Sequence, residues 1–409
     1  MNVADSRNLA DDLDRLGCIR VSKAEDADII VLNSCVVRQS AENRVASKLG
    51  ALRGIKGIRP DALIALMGCM VGPEVYGLHE RFPHVDMFIS PQQFAPLLNV
   101  VRKRISSAIG FEYNASPVAP TAFVPIIHGC DNFCSYCVVP YRRGREVSRP
   151  VDEIVNEVRL LTARGAREVT LLGQNVDSYG HDLAGSPDLA DLLRVINGLD
   201  GLVRIRFLTS HPKDMSDGLI EAVASLDKVC EHISLPFQAG DDDILEAMHR
   251  GYTNEQYRDL VYRIRDVVPD AAISTDLIVG FPGETDTQFQ RSYSILEDLR
   301  FDMVHVAAYS PRPETYASQH LADDVPPDVK KARLDMVEEL QERIVAEINS
   351  KLLGTAVEVL VEGTKKGRWY GRTRTDKLVF FDDERDMTGR LVDIEVKKAG
   401  AWSLQGSPV

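Results

Sequence analysis

Apolar residues along the chain follow three successive regimes. In the first hundred positions, short β-branched runs alternate with helical spacings. Asp28-Ile-Ile-Val-Leu32, Ala62-Leu-Ile-Ala-Leu66 and Asp86-Met-Phe-Ile89 read as strands of a parallel sheet, and 5–16 and 41–52 read as helices. A polar, proline-bearing stretch over 111–121 reads as a linker. Strand-like runs then recur at 123–127, 168–172, 203–208, 232–235, 273–279 and 303–308, with helical patterns between them, such as 151–164, 254–268 and 286–299. Six such units predict a partial barrel of parallel strands, whose chemistry belongs on the loops after the strands. A long helix is expected over 327–353. Short strands with glycine-bearing turns follow at 356–361, 368–373, 378–381, 391–397 and 402–405, the pattern of a small β-barrel of the oligonucleotide-binding kind. The expected class is α/β: an open parallel α/β unit over 1–108, a partial (β/α)6 barrel over 116–346 and a small β-barrel over 349–409.

Composition adds compartment and charge. The 409 residues are 44% hydrophobic, ample for several cores. No run approaches the ~20 apolar residues of a membrane span. The start, Met-Asn-Val-Ala-Asp-Ser-Arg, lacks the basic-then-apolar pattern of a signal peptide. A cytoplasmic, membrane-free protein is expected. Seven cysteines in such a chain point to thiols and metal ligation rather than disulfides. Net charge is −13, but residues 351–409 hold eleven Lys+Arg against nine Asp+Glu, which leaves −15 on residues 1–350. The positive charge lies in two places: Arg142, Arg143, Arg145 and Arg149, and then Lys365, Lys366, Arg368, Arg372, Arg374 and Lys377, interleaved with Trp369, Tyr370 and Phe380. Both are candidate RNA contacts, cations for phosphates and aromatics for unpaired bases. Phe380 is expected instead to fill the small barrel's core.

The candidate chemistry lies in Gly129-Cys-Asp-Asn-Phe-Cys-Ser-Tyr-Cys137, with Cys130, Cys134 and Cys137 spaced C-x3-C-x2-C and no fourth cysteine nearby. A cubane iron–sulfur cluster normally takes four thiolates. Three leave one iron open to a ligand that is not protein, and an open metal position is where chemistry happens. Zinc is the bland alternative, but zinc motifs pair two ligand halves and no second half follows. Tyr136 suits stacking on an adenine or packing beneath the loop. Gln174 and Asn175 end the second barrel strand, and Asp276 and Gly280 lie at the fifth. His211 and Arg250 sit on later loops. Cys230 reads as core, and Cys18 as a buried free thiol.

The cysteine loop continues as Val-Val-Pro-Tyr-Arg-Arg-Gly-Arg-Glu-Val-Ser-Arg-Pro150, and in this form it resembles the radical S-adenosylmethionine (SAM) methylthiotransferases. Asn33-Ser-Cys-Val-Val-Arg38 with Ala41-Glu-Asn-Arg44, Met67-Gly-Cys-Met70, Leu172-Gly-Gln-Asn-Val176, Ser210-His-Pro212, Leu235-Pro-Phe-Gln-Ala-Gly240, Arg250-Gly-Tyr-Thr253, Thr275 to Thr285 and Tyr309-Ser-Pro-Arg-Pro313 match the family in order, over essentially the whole chain, and the C-terminal barrel matches a TRAM domain. The resemblance implies two [4Fe-4S] clusters. One, on Cys130, Cys134 and Cys137, would bind SAM and cleave it to a 5′-deoxyadenosyl radical. Tyr136, Gln174, Asn175, Asp276 and Gly280 are candidate SAM contacts. The other, on Cys35 and Cys69, would supply sulfur; its third ligand is expected upstream of Met1, since Met1-Asn2 matches the end of the family's G-C-Q-M-N. The implied reaction places a methylthio group on C2 of N6-dimethylallyladenosine beside the tRNA anticodon. The implied partners are that tRNA, an electron donor such as flavodoxin or ferredoxin, and a sulfur or cluster donor, and a monomer is expected. Relatives acting on threonylcarbamoyl-adenosine tRNA or a ribosomal-protein aspartate differ most over Val138 to Pro150. A zinc-stabilised RNA-binding protein without catalysis is the alternative of a different class.

Overall fold

The computed structural model describes residues 1–34, 39–71, 76–91, 93–105 and 118–409. The N-terminal unit is a parallel sheet in the order Ile29–Ser34, Leu63–Gly68, Met87–Ile89, flanked by helices Asn2–Arg15, Gln39–Ile58 and Ala95–Ile105. The central strand, Leu-Ile-Ala-Leu-Met-Gly, is buried throughout, as a run without polar side chains must be. Ser34 and Gly68 are register partners, so the chain leaves both strands at one edge. Gly68 adopts a left-handed φ of 93°, and a Cβ there would press into Asn33 Oδ1 and Ser34 O. That close approach lets Cys69 N–H donate to Ser34 O at 3.1 Å. Cys35 and most of the expected linker lie outside the described residues.

Six parallel strands follow in two triplets: Thr121–Pro125, Glu168–Leu172 and Arg204–Leu208, then His232–Ser234, Ala272–Val279 and Met303–Ala308. A bridge from Ile205 to Val229 lies where the triplets adjoin. Val124, Leu171, Ile205, Ile233 and Ile273 pack in one core with the covering helices. The first strand stops at Pro125, short of the expected Ile127. Ile127–His128 pairs instead with Val147–Ser148 in an antiparallel ribbon, the stem of the cysteine loop. Two residues per side are too few to leave a period in the sequence.

Helix Pro327–Ser350 leads to a closed five-stranded barrel in the order Ala356–Lys365, Arg368–Thr373, Leu378–Phe381, Leu404–Pro408, Leu391–Ala399. Within it Val379 and Phe381 are fully buried. Phe380 is only half-buried, its ring 6.3 Å from Tyr370, so the expectation that it fills the core is corrected. Strand alternation gives that place to its neighbours.

This small barrel closes the N-terminal end of the large one. Arg204, fully buried at the start of its strand, donates to Arg372 O at 2.7 Å and Glu358 O at 3.0 Å. Arg206 donates to Arg374 O at 2.7 Å and Thr373 O at 2.5 Å, and pairs with Glu168 at 3.1 Å. Arg374 returns to Glu231 at 2.6 Å and Lys377 to Asp302 at 2.8 Å.

Candidate active site

The ribbon stem holds the cysteine loop at the C-terminal rim of the large barrel. Gly129 has φ 68°, and a Cβ there would collide with Arg145 O across the loop. Cys130 N–H donates to Gly144 O at 3.2 Å and Cys137 N–H to Cys134 O at 2.9 Å. Ser135 anchors the middle: its N–H donates to Met248 O at 3.0 Å, its hydroxyl to Ala247 O at 2.7 Å, and its carbonyl accepts Ala317 N–H at 2.7 Å. Burial pushes the Cys130 thiol up to about 11 and the Cys137 thiol to about 12. Both are protonated at neutral pH until a metal displaces the protons. Among the described residues, the group of metal-ligating side chains whose ligand atoms lie within 4.8 Å of one another is Asp131, Glu146 and His181, not the three cysteines.

A chain of polar contacts leads inward. Arg250 donates from Nη1 to Cys134 Sγ at 3.4 Å, from Nη2 to Pro236 O at 3.0 Å and from Nε to the Tyr252 hydroxyl at 3.1 Å. Tyr252 meets the His211 ring edge-on at 5.8 Å. Burial, then the charges of Arg250 and Lys213, push His211 down to about 2, so it is neutral. Its Nδ1 accepts Lys213 N–H at 3.3 Å, which assigns the proton to Nε2. Among the described residues, that Nε2 is buried without an acceptor, and Gln174 Oε1 and Asn175 Oδ1 are buried without donors. Asn175 Nδ2 donates to Asp214 at 2.7 Å. Unsatisfied polar atoms along one rim suit a small polar ligand. Below them a cavity of about 540 Å³ reaches Thr209, Ser234 and Asp276 inside the barrel and Arg372, Lys377 and Trp402 of the C-terminal barrel.

The N-terminal unit docks on the same rim. Arg143 Nε donates to Cys69 Sγ at 3.2 Å, and its Nη2 lies 3.3 Å from Asp5. Arg312 pairs across the two units with Glu42 at 3.2 Å, and Arg142 pairs within the large-barrel unit with Glu314 at 3.1 Å. Cys69 is buried. Asn2 Nδ2 donates to Ser34 O at 2.6 Å, at the strand end that precedes Cys35.

Residues 1–90 match the Uncharacterized protein family UPF0004, residues 124–296 the Radical SAM superfamily and residues 350–409 the TRAM domain. Over 409 residues the chain is 50% identical to the tRNA-2-methylthio-N(6)-dimethylallyladenosine synthase of Dehalococcoides mccartyi, covering 100% of this chain and 96% of that one. The chain belongs to this synthase family. The Roseiflexus sp. synthase is also 50% identical, over 99% of this chain and 87% of its own. The radical S-adenosylmethionine methyltransferase TsrM of Kitasatospora setae, solved with cobalamin and a [4Fe-4S] cluster, shares the fold. It aligns with TM-score 0.55 at 15% identity, over 71% of this chain and 63% of its own.

Membership in the synthase family brings a [4Fe-4S] cluster and SAM. The loop fits that pair: Cys130 and Cys134 buried with Cys137 half-buried, a guanidinium N–H on one sulfur, and orphaned polar atoms on the same barrel rim. Other expected contacts are placed differently. The Tyr136 ring meets Phe281 edge-on at 6.5 Å. The space beside Gly280 is taken by the Lys330 stem, so its missing Cβ admits a side chain rather than an adenine. Asp276 lies deeper, on the cavity wall.

The basic residues divide as well. The Arg143 side chain is 4% exposed, and Arg149 is held by Pro125 O at 2.6 Å and Glu157 at 2.7 Å. Arg143 thus knits the fold rather than facing solvent, which speaks against its reading as an RNA contact, while Arg149 is part-exposed and already engaged by these two partners. Arg372 pairs with Glu362 and Asp376, Arg374 grips the large barrel, and Arg368 pairs with Asp382. Arg145 is exposed beside Asp131. Lys365 and Lys366 are exposed with no ion-pair partner among the described residues. The sequence reading missed Asp5, Glu42 and Arg312 at the docking surface. Glu42 lay inside the quoted Ala-Glu-Asn-Arg motif and Arg312 inside Ser-Pro-Arg-Pro, so a signal was present but not its meaning.

Proposed function

We propose that this protein places a methylthio group on C2 of N6-dimethylallyladenosine beside the tRNA anticodon, with SAM as methyl donor and radical source. The observation that carries this reading is the contact between Cys69 and Arg143, which brings a cysteine of the sulfur-side unit to the segment that follows Cys137. Cys130, Cys134 and Cys137 hold the SAM-binding cluster, and Cys35 and Cys69 belong to a second. When loaded, the cluster with SAM supplies one-electron radical chemistry. The chain's part is to orient and to exclude water. Arg250 steadies the Cys134 sulfur. His211 Nε2–H, Gln174 Oε1 and Asn175 Oδ1 offer one donor and two acceptors to the methionine end of SAM. The interior cavity, within the usual range of about 300–1,000 Å³ for a ligand site, receives the target nucleoside. Lys365 and Lys366, with Arg145, meet tRNA phosphates.

An electron donor such as flavodoxin or ferredoxin and a donor of replacement sulfur complete the cycle, and the enzyme works as a cytoplasmic monomer. No helix among the described residues is long and apolar enough to cross a membrane. Mass spectrometry of tRNA nucleosides from a deletion strain tests the assignment. Loss of 2-methylthio-N6-dimethylallyladenosine is expected, with N6-dimethylallyladenosine accumulating. The wild-type gene restores it and C134A does not. Persistence of the methylthiolated nucleoside in the deletion strain refutes the reading.

A further inference from the structure

Arg143 closes the short helix Val139–Arg143, which begins two residues after Cys137, yet its guanidinium serves the other unit. Nε donates to Cys69 Sγ, and Nη2 donates to Asn2 Oδ1 at 2.8 Å and Asp5 Oδ2 at 3.3 Å. Nη1 is buried and has no acceptor among the described residues, and Arg333 leaves its Nε so as well. A buried guanidinium that leaves a donor unused carries the cost of desolvating that N–H. Where it does so against a thiol, the unused N–H marks a place for an anion, because charged donors bind anions most strongly. Asp5, 1% exposed, already accepts from Nη2, so the open position is a separate one.

We propose that Arg143 is a positioning residue of the sulfur-side site. It steadies the Cys69 thiolate through Nε, and through Nη1 it holds an anionic sulfur, hydrosulfide or an alkylthiolate, bound beside that cysteine. This inference rests on the reading of Cys35 and Cys69 as ligands of a second cluster. Because the same side chain is rooted in the radical loop's own helix, it also sets the spacing between the two cysteine sites.

The test uses the full chain with Cys130, Cys134 and Cys137 replaced by alanine, reconstituted anaerobically so that only the second site holds iron. Iron and sulfide content, the reduction midpoint and the EPR spectrum during titration with sodium hydrosulfide are compared for this parent and for R143Q, R143K and D5N made in it. Iron is expected in all four. Hydrosulfide should bind at least tenfold more weakly in R143Q, less so in R143K, and as in the parent in D5N. The midpoint should fall in R143Q, where the charged N–H···S bond is lost. Parent-like hydrosulfide binding and midpoint in R143Q would overturn the role of Arg143. Equal losses in R143K and D5N would also overturn it, since they would make the residue a docking contact only. A parent without iron would refute the reading that Cys35 and Cys69 of this chain hold a second cluster, a different failure from that of Arg143. If R143Q does not fold, the comparison of R143K with D5N decides.

Discussion

Asp177 shows how the rim's polar side chains depend on their surroundings. Its carboxylate accepts Ser210 Oγ–H at 2.9 Å and His211 N–H at 3.0 Å, yet burial pushes it up to about 7, and the charge of Asp214 adds to the shift. The native state therefore holds a proton that the unfolded chain releases near pH 4. The sign follows from linkage: the stability this group contributes is complete below about pH 4 and is lost as pH rises toward about 7, beyond which the slope vanishes. D177N removes the titration. Melting temperatures across pH 4–7.5 should show a flatter profile for D177N, which gains on the wild type toward pH 7.5; parallel profiles would contradict this. At this scale the cysteine spacing was legible, because three thiols in eight positions carry their chemistry locally. Arg143 was not. Its partner Asp5 lies 138 positions away, and a run of arginines looks the same in sequence whether it faces RNA or a buried carboxylate.

Between residue and domain stands the helix Pro327–Ser350, whose first turns reach back to the loop after the fifth barrel strand. Arg333 donates to Glu284 at 2.7 Å and to Asp286 at 2.7 Å, and Glu284 accepts Gly280 N–H at 2.6 Å. Lys330 reaches Asp323 and Tyr309 O. Farther along, Asn349 donates to Gly400 O and Ala401 O of the small barrel. One helix thus ties the Gly280–Glu284 turn to the C-terminal unit. Removing Arg333 leaves Glu284 buried without its cation, so R333M should lose roughly 3–5 kcal/mol in urea unfolding. R333M combined with E284Q should recover part of that loss, and a double variant no better than the single would argue against the pair. The barrel strands were legible because β-branched runs persist over five or more residues. The helix was legible as a helix, but its periodicity could not say which loop its cations would meet.

Across the whole molecule, the −13 net charge is reconciled with an RNA substrate by where the few free cations sit. K365A/K366A should weaken tRNA binding and flatten its salt dependence by about 0.7–0.9 log units per log unit of salt for each phosphate that is no longer neutralised. R374A should leave the salt slope alone while making the chain near residue 355 easier for protease to cut, since Arg374 is already engaged by Glu231, Val229 O and Asp227 O. Equal flattening by both variants would show that the two sets do not differ. The three-unit organisation could be read from sequence because each unit has its own period. Their mutual docking could not, because it is written in single charged residues. Arg204 and Arg206 carry a consequence for biosynthesis. When the large barrel emerges from the ribosome, the backbone carbonyls that satisfy these cations have yet to be translated. Its floor is left open with Arg204 unmet and Arg206 held by Glu168 alone, so the barrel's final consolidation awaits the C-terminal strands, and a ribosome stalled before residue 372 would hold an unfinished enzyme.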